Sequence, residues 1–252
     1  MLVFAHPDDE VIAVGARLSC FSSAHFIYVT DGAPRDQRDS RRNGFRSPDS
    51  YSEARFKELK RAFNLAGISR ARRKCLEYPD QESAYHLPEL TETIAKLFDK
   101  HRIQIVFTHP YEGGHPDHDA TAFAVHHAVQ FLDSEAPLIV EAAFYHQGAQ
   151  GIQTGSFVDS VEFEEVVYTL TDTERARKLE LLACFTTQKD MLRNFSTREE
   201  RYRASPQYEF TRPPHAGRIF YDNFNWGITS DRFCSMAREA EMKLTSARPA
   251  RC

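Results

Sequence analysis

The stretch Leu2-Val3-Phe4-Ala5-His6-Pro7-Asp8-Asp9-Glu10 decides the fold. Its first four residues are apolar without alternation, the pattern of a strand covered on both faces, and such strands belong to parallel sheets flanked by helices. A helix is expected from about Glu10. Further along, His25-Phe26-Ile27-Tyr28-Val29-Thr30 repeats the apolar run and closes at Asp31-Gly32, and Ile103-Gln104-Ile105-Val106-Phe107 opens into a loop over 108–118. Helical periods lie between the strands. Leu59, Ala62, Phe63 and Ala66 recur at three- and four-residue spacing within 52–66, with Gly67 placed to end the helix. Leu90, Ile94, Leu97 and Phe98 repeat the pattern, and a further helix is expected over about 119–132.

Strand and helix alternating in this way predict an α/β fold: a mostly parallel, Rossmann-like sheet with helices on both faces and ligands beyond the carboxyl ends of the strands. The second half reads less regularly. It offers a strand at 138–145, alternation around 161–168, and a helix introduced by the capping-box pattern Thr171-Asp172-Thr173-Glu174. No linker separates the halves, so residues 1–252 are expected to form one domain with an irregular α+β part from about 150. The arginine-rich loop 35–46 and the tail 246–252 read as mobile.

With 252 residues, 41% of them hydrophobic, the chain has the material for one large core. A formal charge of −4 from 32 basic and 36 acidic residues gives no global field to recruit nucleic acid or an anionic membrane, which leaves a small molecule as the expected partner. The cysteines at 20, 75, 184, 234 and 252 form no paired framework and suit a reducing cytoplasm. The opening apolar run is too short for the core of a signal peptide, and no later stretch reads as a membrane span.

Two segments carry chemistry. His6-Pro7-Asp8-Asp9-Glu10 crowds an imidazole and three carboxyls at one strand end, a costly arrangement without a cation. Glu112-Gly113-Gly114-His115-Pro116-Asp117-His118-Asp119 lies at another, with glycines that let backbone approach a ligand and a proline that stiffens the turn. Singly, either is ordinary turn material. Together they can give two imidazoles and a carboxylate to one metal and leave a position open for water, as catalytic zinc requires.

The intact motifs Ala5-His6-Pro7-Asp8-Asp9-Glu10 and His115-Pro116-Asp117-His118 resemble those of the N-acetylglucosaminyl-phosphatidylinositol deacetylase and LmbE-like family. The likeness extends through Val29-Thr30-Asp31-Gly32, Arg55, Glu58 and Tyr78-Pro79-Asp80, about the first half of the chain. It implies a metal-dependent N-deacetylase with one zinc, or iron in its place, held by His6, Asp9 and His118. Asp8 is then the general base, and His115 a cation that stabilises the oxyanion or protonates the amine, oriented by Asp117. Arg55 and Asp80 match positions that contact sugar hydroxyls, and the substrate is an N-acetylated amino sugar or its conjugate.

Other residues have a functional and a plain reading. Asp31 supports the metal site or caps a helix; the arginines at 35, 38, 41, 42 and 46 bind an anionic substrate group or are simply solvated; Tyr208, Phe210, Tyr221, Phe224 and Trp226 stack on a sugar ring or fill a core. Two histidines and a carboxylate also describe a non-haem iron oxygenase, although that triad resembles H-x-D on a β-sandwich rather than H-x-x-D on an α/β sheet. A non-catalytic sugar- or nucleotide-binding domain is the third reading.

Overall fold

The structure is a computed structural model, and it describes residues 1–132, 136–158 and 164–247. In chain order its elements are β1 (Leu2–Phe4), α1 (Asp9–Val14), β2 (Phe26–Thr30), α2 (Arg38–Arg42), α3 (Pro48–Ala66), β3 (Arg73–Tyr78), α4 (Leu87–His101), β4 (Ile105–Thr108), α5 (Pro116–Ala128), β5 (Leu138–Ala142), β6 (Tyr145–Gly148), β7 (Gly151–Thr154), β8 (Glu165–Thr169), α6 (Asp172–Leu182), α7 (Lys189–Leu192), β9 (Glu199–Ala204) and α8 (Ser230–Ala247). Seven strands form one sheet in the order β3-β2-β1-β4-β5-β9-β8, and β6 pairs with β7 in a separate hairpin. The first five are parallel; β9 and β8 run antiparallel at one end.

Strand residues alternate between the two faces, and helices cover both. Leu2, Phe4, Phe26 and Tyr28 pack with Val11 of α1, Leu59 and Phe63 of α3 and Leu181 of α6. Val3, Ile27 and Val29 turn the other way onto Leu90, Ile94 and Phe98 of α4 and Val125 and Ala128 of α5. Burying one such side chain contributes about 1.5–3 kcal/mol, and this double cover explains the unbroken apolar reading of β1. Buried Lys178 of α6 donates to Glu200 of β9 at 2.9 Å and to the carbonyl of Ile12 at 2.9 Å, tying α1 in place.

Strand β1 pairs with β2 on one side and β4 on the other, so the strand order reverses there. The loops after β1 and β4 meet in the resulting crevice. These are the two segments rich in histidine and aspartate.

Local signals act where expected. Thr171 and Glu174 form a reciprocal capping box at α6, and Gly67 ends α3 with φ 71°. Helix α3 starts earlier than its apolar period, at Pro48, because Ser47 and Ser50 cap each other's backbone. Helix α5 likewise begins at Pro116, with His115 as its cap.

Three expectations are corrected. The strand over 138–145 breaks after Ala142, where the chain leaves the sheet and brings Phe144 within 4.3 Å of the His109 ring and 5.2 Å of His118, centroid to centroid. The loop 35–46 contains α2, fastened by Arg38 donating to the carbonyl of Asn225 at 2.8 Å. Helix α8 runs through Ala247, so the tail begins later than expected, and 248–252 lie outside the described residues. The alternation around 161–168 falls partly on 159–163, also outside them; the described part is β8.

Candidate functional site

After β1 the backbone must turn sharply into α1, and Asp8 takes the strain, with φ 126° and ψ −21°, a region costly for any residue but glycine. Three contacts hold it there. Its N–H donates to the Glu10 carboxylate at 3.1 Å, its carbonyl accepts from the Val11 N–H at 3.0 Å, and its carboxylate accepts from Arg55 at 3.0 Å. Arg55 also donates to the carbonyls of Gly32 at 2.7 Å and Pro7 at 2.9 Å.

The loop after β4 is pressed against β6. A side chain at Gly114 would overlap the backbone carbonyl oxygen of Tyr145, so only glycine fits. Gly114→Ala is expected to cost about 1–3 kcal/mol as an overpacked site and to lower the thermal midpoint. An unchanged melting curve contradicts this packing.

Together the two loops build a buried cluster. Asp9 lies 3.6 Å from His6 Nδ1 and 3.5 Å from His118 Nε2, so His6, Asp9 and His118 present donor atoms to one small volume. His6 Nε2 faces Asp80 and Asp117, each at 3.3 Å, and His115 Nε2 is 3.7 Å from Asp80. Among the described residues, His118 Nε2 and Asp80 Oδ1 are buried without a hydrogen-bond partner. Orphaned donors among crowded carboxylates fit a cation.

Protonation follows from burial and neighbours. Burial pushes the Asp8 carboxyl up to about 7 against the pull of Arg55. Burial would also raise Asp9, but His118 beside it outweighs burial and holds it well below the usual carboxylate range. For His6, Asp80, Asp117 and Asp9 outweigh burial and raise its pKa well above the ordinary histidine value.

His115 departs from the expected cation oriented by Asp117. Its Nδ1 accepts the N–H of Asp117 at 3.2 Å, so Nδ1 carries no proton, and burial together with His6 pushes its pKa well below the ordinary value. With Nδ1 accepting, Nε2 is the nitrogen left to donate toward the cavity. The Asp117 carboxylate is 3.7 Å from His115 Nδ1 but accepts from the Gln81 N–H at 2.6 Å, the Ser83 N–H at 3.1 Å and the Ser83 hydroxyl at 2.5 Å. It braces the turn that carries Asp80 and faces His6.

The cluster forms part of the lining of a cavity of about 290 Å³. Arg55 and Asp80 both reach it, but Arg55 is buried, with its two Nη atoms donating to Gly32, Pro7 and Asp8. Asp31 stays outside the lining and caps a turn through the Ala33 N–H. Of the arginine loop, Arg42 reaches the mouth and pairs with Asp190 at 3.2 Å. Phe210 and Tyr221 are buried and Tyr208 half-buried, all three outside the cavity lining, whereas Phe224 and Trp226 line it.

One residue was missed. His109 lies 3.3 Å from Asp9, stacks on the His118 ring at 3.8 Å and accepts the Ala5 N–H at 2.9 Å. Burial, then His118, push its pKa down to about 3, so it stays neutral. The signal was available: His109-Pro110 repeats, at the end of β4, the His-Pro step of His6-Pro7 and His115-Pro116.

A "Probable N-acetyl-alpha-D-glucosaminyl L-malate deacetylase 2" of Bacillus anthracis is 31% identical over 149 residues, spanning 57% of this chain and 65% of that protein. Among solved structures, the A40926 pseudoaglycone deacetylase aligns with a TM-score of 0.61 at 18% identity over 82% of this chain and 97% of its own. The N,N'-diacetylchitobiose deacetylase of Pyrococcus horikoshii aligns with a TM-score of 0.53 at 23% identity over 74% of this chain and 69% of its own. At these identities the structural likeness shows the α/β fold alone. The profile of the PIG-L family, GlcNAc-PI de-N-acetylase, matches residues 1–129. That span holds β1, β4 and every histidine and aspartate of the cluster, and by it the chain belongs to the PIG-L family.

Proposed function

We propose that this chain is a zinc-dependent hydrolase that removes the acetyl group from an N-acetylated amino sugar or its conjugate, with iron able to replace zinc. The observation that carries the reading is the pairing of a buried His6, Asp9 and His118 cluster with an Arg55-held Asp8 on one cavity. His6, Asp9 and His118 would hold the ion. When bound, it supplies a Lewis acid for the acetamide carbonyl and acidifies a water molecule.

The chain's own residues do the rest. Asp8, buried and poised near neutrality, takes the proton of the attacking water. Arg55 keeps that carboxylate aimed, a positioning role in place of the expected sugar contact. His115 offers Nε2–H to the oxygen on which charge develops, while its Nδ1 is locked by the α5 backbone. Asp117 braces His6 and the Asp80 turn. The unpartnered oxygen of Asp80 is the acceptor left for a sugar hydroxyl. The C–N bond then breaks as the proton taken by Asp8 passes to the departing nitrogen, which gives acetate and the free amine. The parallel sheet favours this chemistry over the oxygenase reading, which was tied to a β-sandwich, and the Arg55-held Asp8 beside the cluster favours it over a binding domain.

Zinc-loaded protein is expected to release acetate and primary amine in equal amounts from a panel of N-acetyl sugars and conjugates. Acetate only from non-sugar amides contradicts the sugar assignment. Phosphate or reducing ends without acetate contradict the deacetylase.

A further inference from the structure

His109 follows the last residue of β4, fully buried and absent from the lining of the cavity. Its ring packs edge-on against Phe4 at 5.2 Å and tilted against Phe144 at 4.3 Å, centroid to centroid. Surroundings of this kind suit a phenyl ring. They hold instead an imidazole whose Nδ1 has no hydrogen-bond partner among the described residues, an arrangement that packing alone disfavours. The other nitrogen faces the cluster.

That Nε2 accepts the Ala5 N–H at 2.9 Å and so pins the end of β1 immediately before His6. Ala5 lies past the pairing of β1 with β4, which runs through Leu2 and Phe107. The same nitrogen is 3.3 Å from Asp9 Oδ2, the oxygen that accepts the His6 N–H at 2.7 Å, while Asp9 Oδ1 faces His118 Nε2 at 3.5 Å. The face of the ring stacks on the His118 imidazole at 3.8 Å with 13° between planes. One ring therefore touches the mounting of all three proposed ligands: the backbone beside His6, the carboxylate of Asp9 and the plane of His118. Its Nε2 is already taken by Ala5, and it joins neither group of converging donor atoms.

We propose that His109 is the positioning residue of the metal site, an imidazole that binds no ion itself but holds His6, Asp9 and His118 in register, so that metal affinity depends on it. This rests on the metal reading of the cluster. Two contacts carry the role: the nitrogen fixes main chain and carboxylate, and the flat face fixes the rotation of the His118 ring. Ligands set in advance need no reordering when the ion arrives, and partners behind the ligands are typically worth about 10–100-fold in metal affinity.

Zinc affinity, measured by competition with a chromophoric chelator, tests both contacts. His109→Gln keeps an acceptor for Ala5 without the flat face, and His109→Phe keeps the face without the acceptor; each is expected to weaken zinc binding about 10–100-fold. Leu97→Ala is the comparison. It opens a cavity in the core near the end of α4 that leads into β4, opposite the strand ends that carry the site, and is expected to lower the thermal midpoint without changing zinc affinity. In protein loaded with Co²⁺, the visible absorption bands follow the geometry of the ligand atoms. They are expected to shift in both His109 variants and to stay in place in Leu97→Ala. A loss confined to one His109 variant keeps the proposal and assigns the role to the contact which that variant removes. Zinc affinity unchanged in both, or an equal loss in Leu97→Ala, overturns it. Parent protein that takes up no zinc contradicts the metal reading itself, whereas a zinc-binding parent beside unaffected variants contradicts the role of His109 alone.

Discussion

Asp8→Asn is expected to keep its metal and lose about 10²–10⁴-fold in turnover, the usual contribution of a general base. The substitution is nearly isosteric. The amide oxygen can still accept from Arg55, which stays bonded through its Nη atoms to the carbonyls of Pro7 and Gly32, and the strained backbone at φ 126° keeps its N–H and carbonyl contacts. What disappears is a group able to accept a proton near neutral pH. The measurement is turnover beside metal content and thermal midpoint. Full turnover with Asn at this position contradicts the assignment of Asp8 as base.

His118→Ala is expected to lose both metal and activity. The imidazole supplies one of three proposed ligands, and its Nε2 has no hydrogen-bond partner among the described residues to compensate for leaving water. Outer partners of a metal site are worth about 10–100-fold in affinity, so removing a direct ligand should weaken binding by more than that. The ring also stacks on His109 at 3.8 Å, so a modest drop in stability accompanies the loss. Metal content by mass spectrometry after dialysis checks it. One tightly held equivalent in the variant contradicts the ligand set.

The parts of the fold that were legible in the sequence are those where one physical demand dominates. Leu2–Phe4 and Phe26–Thr30 are covered on both faces, and continuous apolarity is what that environment selects. Arg73–Tyr78 and Glu199–Ala204 were not legible. Both are exposed or half-buried over much of their length, and their charged residues find partners specific to their place, as when Glu200 meets Lys178. Helix α8 carries a buried stripe of Phe233, Ala237, Ala240 and Leu244, but two of its four members are alanines, too weakly apolar to stand out among the charged residues around them.

At the site, the meeting of His6, Asp9 and His118 was readable, because two strand ends at a switch point must converge. The tautomer of His115 was not. It depends on that side chain capping its own helix, a geometric fact that spacing does not encode. The inward turn of Arg55 was hidden for the same reason: its partners are backbone carbonyls at Pro7 and Gly32, distant in sequence.

An anomalous-scattering map from zinc-loaded crystals, recorded at the zinc edge, tests the central claim most directly, because His6 borders two candidate clusters, one with Asp9 and His118 and another with Asp80, His115 and Asp117. The account predicts one peak at about 2.0–2.2 Å from His6, Asp9 and His118. A peak held by Asp80, His115 and Asp117, or no peak among these side chains in protein that carries a full equivalent of zinc, would contradict it.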